Sequence, residues 1–330
     1  MSRGDFHLAD YLNSDLELKA TRKGFGEGLR SAGESNQDVV ALCADLTEST
    51  QMHMFKEAFP DRFFEVGIAE QNLATVGAGL ALTGKIPFIS SYAAFSPGRN
   101  WEQIRTTAAL NELPVKVIGS HAGLYTGADG ATHQMLEDIA LMRVMPNMVV
   151  LAPGDAIEAE KMTRAMVSNK QPNYLRLSRE ATPVFTTEKT PFEIGKAYVF
   201  EPGHEVSIIS TGTMTYQSLL AAQMLFKDGI DAEVVHVPTI KPLDGVTILE
   251  SIKKTKCVVT VEEAQINGGL GGAISELVSE NYPVPVRRVG VKDLYGQSGK
   301  PDQLFDHYGL TPKHIAMAVH QVLLQAGKSH

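Results

Sequence analysis

The chain has 330 residues, 43% of them hydrophobic and 21% charged, a composition that excludes disordered and fibrous proteins. Lys and Arg number 30 against 38 Asp and Glu, and the net charge of −8 speaks against a general nucleic-acid binder, which carries a basic excess on one face. No apolar run approaches the roughly 20 residues of a membrane span, and the start MSRGDFHLADYLNSDLELK is too polar for a signal peptide, so a cytoplasmic protein with no membrane partner is expected. Cys43 and Cys257 stand far apart in apolar runs and predict neither a disulfide scaffold nor a zinc cluster.

At roughly 100–200 residues per domain, this length predicts two domains. Residues 1–17 read as an N-terminal segment. The short apolar runs VVALCADL (39–46), PVKVIGSH (114–121) and MVVLAP (148–153) predict buried strands of a parallel sheet, and the longer periodic segments 18–33, 69–84, 97–111 and 155–169 predict helices between them. Pro97 is expected at a first helical position and Gly84 just past a helix end. Over 183–204 three prolines and the lack of helical period predict a linker carrying a hairpin. A second series follows in VSIISTG, TYQSLLAAQMLFKDG, DAEVVHV, KCVVTVEE, GLGGAISELVSEN, VRRVGV and a last helix from about Thr311. The expected architecture is α/β, with two doubly wound domains over 18–182 and 205–330.

Three segments carry chemistry. In FFEVGIAEQNLATVGAGLALTG (63–84), Glu70 falls in the first turn of a Gly-rich helix, where a carboxylate complements the helix dipole or faces a ligand at a strand-to-helix switch. In IPFISSYAAFSPGRNWEQIR (86–105), Tyr92 and Phe95 end a strand, either as core or as a wall for a flat heterocycle. In SHAGLYTGADGATHQMLEDIALMR (120–143), His121, Asp129 and His133 share a loop whose glycines permit close approach of a substrate.

Together these segments resemble the pyrimidine-binding domain of transketolase-like, thiamine-diphosphate-dependent enzymes. The likeness runs through VGIAEQN, SYAAF, GADGATHQ, LEDIALMRVMPNMVVLAP and YLRLSRE, continues through TIKPLD, VTVEEAQINGGLGG and SGKP, and covers residues 18–325. It implies a pyrimidine-binding domain followed by a transketolase C-terminal domain. It further implies that Glu70 hydrogen-bonds ring nitrogen N1′ of the cofactor's aminopyrimidine, that Tyr92 and Phe95 line the pyrimidine pocket, and that Asp45 belongs to the cofactor site. Asp129, His121 and His133 would orient substrate hydroxyls and move protons, the two histidines as catalytic groups beside Glu70. Arg22, Ser49, His121 and Arg179 would hold a sugar phosphate, a task suited to the bidentate guanidinium.

Members of this family bind the diphosphate through Mg²⁺ with a GDG motif and a later asparagine pair, and this sequence contains neither. The resemblance therefore implies a C-terminal subunit of a split transketolase, with no metal ligands of its own and an N-terminal partner anchoring thiamine diphosphate and Mg²⁺, in an α₂β₂ assembly. The expected reaction is transfer of a two-carbon ketol unit between sugar phosphates. A 2-oxoacid dehydrogenase beta subunit, a deoxyxylulose-phosphate synthase and an inactive regulatory subunit are the alternatives. GADGATHQ and the four phosphate-site matches favour sugar chemistry over the first.

Overall fold

The computed structural model describes residues 6–13 and 15–328; residues 1–5 and 14 of the expected N-terminal segment, and 329–330, lie outside the described residues. The first half of the chain runs through β1 (Leu18–Lys19), α1 (Thr21–Ser35), β2 (Val39–Cys43), α2 (His53–Ala58), β3 (Phe63–Glu65), α3 (Glu70–Leu82) and β4 (Ile86–Tyr92). It continues with α4 (Trp101–Gln103), which passes directly into a π-helical turn over Ile104–Ala109, then β5 (Lys116–Ser120), α5 (Asp138–Arg143), β6 (Val149–Leu151), α6 (Ala156–Ser168), β7 (Asn173–Arg176) and β8 (Thr182–Pro183). The second half holds β9 (Tyr198–Glu201), β10 (Val206–Ser210), α7 (Met214–Lys227), β11 (Ala232–His236), β12 (Thr239–Lys241) and α8 (Gly245–Thr255). It ends with β13 (Val258–Gln265), α9 (Leu270–Asn281), β14 (Val286–Val291), α10 (Pro301–His307) and α11 (Pro312–Gln325).

Strands β2 to β7 form a parallel sheet in the order β6-β7-β5-β4-β2-β3, with β12 added antiparallel on β6 to make seven. All five residues of β2 are buried, as expected where helices cover both faces. Alternation along β4 sends Phe88 to the face covered by α1 and α6, with Phe25, Leu29 and Met162, and Ile89 to the face covered by α3, with Leu73 and Ala74. The second sheet has the order β14-β13-β10-β11-β9, parallel except for β9. Helix ends follow local chemistry: the Asp155 carboxylate accepts the Glu158 amide at 3.0 Å to cap α6, Asp244 caps α8 through Thr247, and Gly84 takes φ +89° just beyond α3.

Two local expectations are corrected. Pro97 does not open a helix. Residues 93–100 form a turn, in which Ser96 donates to the Tyr92 carbonyl and Gly98 to that of Ala93, and the helix starts only at Trp101. The segment 183–204 holds no hairpin, because β8 pairs with β1 while β9 pairs with β11 in the other sheet.

A buried charge cluster joins the two halves. Arg176 at the end of β7 donates through Nε to Asp138 at 2.9 Å and through Nη2 to the Glu263 carbonyl of β13 at 2.7 Å, while Tyr174 donates its hydroxyl to Asp138 at 2.7 Å. The Glu263 carboxylate accepts the Tyr125 amide at 2.9 Å and the Thr213 hydroxyl at 3.1 Å. Farther along, His236 Nε2 lies 2.9 Å from Glu158 and its Nδ1 lies 2.7 Å from Thr215.

Helices α1 and α6 cross at glycine. A Cβ at Gly24 would stand 1.9 Å from the Ala156 carbonyl oxygen, whereas one at Gly79, on the outer face of α3, would meet nothing within 4 Å. Gly24→Ala should therefore destabilise the chain by about 1–3 kcal/mol, and Gly79→Ala should stabilise it by about 0.5–1 kcal/mol, in urea unfolding curves.

Candidate active site

The residues that the sequence singles out gather at or just beyond the carboxyl ends of the parallel strands. The chain leaves β2, adds β3 on one side and returns to place β4 on the other, so the sheet opens to a ligand at the ends of β2 and β4. Asp45 follows β2, Tyr92 ends β4, His121 follows β5, Arg179 follows β7 and Glu70 opens α3.

Glu70 is 1% exposed. Its Oε2 receives Arg99 Nη1 at 2.6 Å, its Oε1 a long contact from the Ser91 hydroxyl at 3.4 Å, and its main-chain carbonyl the Asn100 side-chain amide at 2.8 Å. Neither Arg99 nor Asn100 stands out in the sequence, where SPGRN reads as the start of a helix. The turn that displaces that helix is what aims both side chains at Glu70.

Four rings form a cluster that reaches this carboxylate through Arg99, whose guanidinium carbon lies 4.9 Å from the Phe95 centroid. Tyr92 stacks on His121 at 3.8 Å between centroids, lies near-parallel to Phe95 at 6.0 Å, and His133 meets Tyr92 and Phe95 edge-on at 6.1 and 5.5 Å. The ring cluster thus gathers Tyr92, Phe95, His121 and His133 on one wall. His121 is buried in left-handed backbone (φ +57°), with Nδ1 2.9 Å from the Ser120 hydroxyl. Burial first, then Arg22, Arg179 and His133, pull its pKa down from 6.5 to about 3.

The cationic end is tied to the same wall. Thr21 and Ser178 share hydrogen bonds at 2.7 and 3.0 Å, which brings the first turn of α1 against the segment after β7. Arg22 then donates to the carbonyls of Arg179 at 2.9 Å and Ser49 at 2.5 Å, so Ser49 enters through its main chain. Burial and the charge of Arg179 lower the Arg22 pKa. Arg179 donates to the Thr126 carbonyl at 3.0 Å and lies 3.3 Å from Asp129, which is exposed at the rim. His133 is half-buried, with Nδ1 2.9 Å from Thr132. Asp45 is exposed in left-handed backbone (φ +60°), held by its amide to Glu65 at 2.7 Å. Glu65 also accepts Gly67 and Thr47, a loop-organising role with no sequence signal. Gln134, buried behind the substrate loop, donates to the carbonyls of Gly127 at 2.9 Å and Gln297 at 3.0 Å, so the second domain braces that loop.

These residues suit an aminopyrimidine: a buried carboxylate able to pair with a ring nitrogen, and a near-parallel aromatic pair whose Phe95 is tied to that carboxylate through Arg99. Among the described residues, no group of three or more His, Cys, Asp and Glu could hold a metal ion.

Fold and site together define an α/β protein that gathers an acidic and aromatic group of side chains and a cationic one at the strand ends flanking a switch point. Residues 17–184 match the transketolase pyrimidine-binding domain and residues 195–315 the transketolase C-terminal domain. The chain belongs to the transketolase family, and its two domains are those of the C-terminal section of split transketolases. A Methanocaldococcus jannaschii protein, provisionally named a transketolase C-terminal section, is 45% identical over 91% of this chain and 95% of its own. The 6-deoxy-6-sulfo-D-fructose transketolase subunit of Clostridium sp. (strain MSTE9) is 39% identical over 94% of this chain and 98% of its own. Among solved structures, a split-gene transketolase described as an inactive beta4 tetramer superposes with a TM-score of 0.88 at 43% identity, covering 93% of this chain and 99% of that one.

The low pKa of His121 has a pH consequence. The folded imidazole stays neutral where the unfolded one, near 6.5, takes up a proton, so this contribution to stability is complete above about pH 6.5 and is lost as pH falls toward 3. The NMR signal of His121 should not titrate between pH 8 and 5, and His121→Gln should flatten the fall in stability between pH 6.5 and 4.

Proposed function

We propose that this chain is the C-terminal subunit of a two-chain, thiamine-diphosphate- and Mg²⁺-dependent transketolase that moves a two-carbon ketol unit from a ketose phosphate to an aldose phosphate. The observation that carries the reading is the joining, at the strand ends, of Glu70 and its aromatic wall to Arg22, His121, Asp129 and Arg179. The cofactor, when bound, supplies a thiazolium carbon that acts as nucleophile and electron sink.

The chain's own residues divide the remaining work. Glu70 would hold the pyrimidine ring nitrogen through a shared proton, and Tyr92 and Phe95 would pack against the ring and exclude water. His121, neutral across the physiological range, offers an uncharged nitrogen to a substrate hydroxyl. Asp129 and His133 orient further hydroxyls and exchange protons with them. Arg22 and Arg179 give charge-assisted hydrogen bonds to the terminal phosphate, and Asp45 lines the mouth on the cofactor side. The diphosphate and Mg²⁺ are assigned to an N-terminal partner bearing GDG and paired asparagines, in an α₂β₂ assembly in the cytoplasm. The inactive beta4 state of the similar split-gene protein supports expecting no turnover from this chain alone.

Mixing the chain with such a partner, thiamine diphosphate and Mg²⁺ should produce ketol transfer that neither chain shows alone; full activity of the chain by itself would overturn the reading. In the assembled enzyme Glu70→Ala should cut kcat by about 10²–10⁴-fold at saturating cofactor. Arg179→Ala should lower kcat/KM by roughly 10–150-fold, mainly through KM and for phosphorylated sugars only. Equal losses on neutral sugars would mean that Arg179 holds the fold instead.

A further inference from the structure

Arg99 occupies a peculiar position. Its Nη1 donates to Glu70 Oε2 at 2.6 Å, and its guanidinium lies over the Phe95 ring with 4.9 Å between its carbon and the ring centroid. Glu70 is almost completely buried, whereas the Arg99 side chain is 44% exposed, so the cation reaches in from the rim. The Arg99 amide donates to the Phe95 carbonyl at 2.9 Å, which fixes the two side chains one above the other within the turn 93–100.

We infer that Arg99 is an internal stand-in for the cofactor ring: in the free subunit its planar guanidinium takes the two contacts, the Glu70 carboxylate and the Phe95 face, that the aminopyrimidine takes on binding. The inference rests on the reading of Glu70 and Phe95 as the pyrimidine contacts. A guanidinium is flat, delocalised and rich in donors, so it stacks on an aromatic face and hydrogen-bonds a carboxylate in the same way that an aminopyrimidinium does. It also never gives up its proton, so it cannot share one with Glu70 as a ring nitrogen can, and by lying over Phe95 while bonded to Oε2 it stands where a ring paired with this carboxylate would stack. The exposed side of Arg99 leaves it a route into solvent. The displaced contact includes one charge-assisted hydrogen bond, so the ring binds against a competitor built into the chain.

The test uses thiamine, which carries the pyrimidine and needs no diphosphate anchor. Titrated calorimetrically into the full-length chain, thiamine should bind Arg99→Ala roughly ten- to a hundredfold more tightly than wild type. Arg99→Lys, which keeps the charge but not the plane, should fall between them. Trp101, two residues along, gives an independent fluorescence readout of the turn, and circular dichroism reports whether each variant is folded. Unchanged or weaker binding by a folded Arg99→Ala would overturn the inference while leaving the pyrimidine site standing. If Glu70→Ala/Arg99→Ala binds thiamine as tightly as Arg99→Ala, or if no variant binds it, the pyrimidine reading itself fails, and the inference with it.

Discussion

The buried guanidinium of Arg176 is the constraint on which the rest of the structure turns. A charge removed from water survives only when its partners are close and well aimed, and losing one of them leaves an uncompensated ion. Asp138 and the Glu263 carbonyl supply that pairing from two different domains. Because the Glu263 carboxylate also accepts the Tyr125 amide, the same cluster fixes the start of the loop that carries Asp129 and His133. The position of that loop is therefore set by a domain contact as well as by the first sheet.

The site divides into zones that share no charge. Glu70 and Arg99 satisfy one another beside Phe95, while burial, reinforced by the neighbouring cations Arg22 and Arg179, keeps His121 neutral against Tyr92. Like charges so arranged invite an anion, and Asp129 at 3.3 Å and Glu180 at 3.7 Å answer Arg179. The tight junction between Thr21 and Ser178 is what keeps the two arginines together against their repulsion.

Much of this was legible in the sequence because strand ends announce themselves. The runs VVALC, ISSY and KVIGS are buried strands, and the residues that the neighbouring motifs single out, Tyr92, Phe95 and His121, gather at or beyond their ends. What escaped depends on turns and distant partners. The periodic pattern of 97–111 hides the turn that aims Arg99 and Asn100. Lys116, fully buried inside an apolar strand, is read through by pattern, since its ammonium reaches the carbonyls of Asn169 and Gln171 in the connection that leads into the neighbouring strand β7, and burial draws its pKa down to about 7. The four residues YVFE contain nothing to say which sheet they join, and only the pairing of β9 with β11 decides it.

The crossing of β12 into the first sheet has a consequence for how the molecule comes apart. Thr239 and Lys241 pair with Leu151 and Val150, so the first sheet is completed by a strand that the chain synthesises nearly ninety residues later. A chain severed at the connector would leave the wholly buried β6 as a bare edge, open to pairing with other chains. The two domains are thus distinct in sequence but not in structure: the first sheet keeps its last strand only while the second half of the chain stays in place beside it.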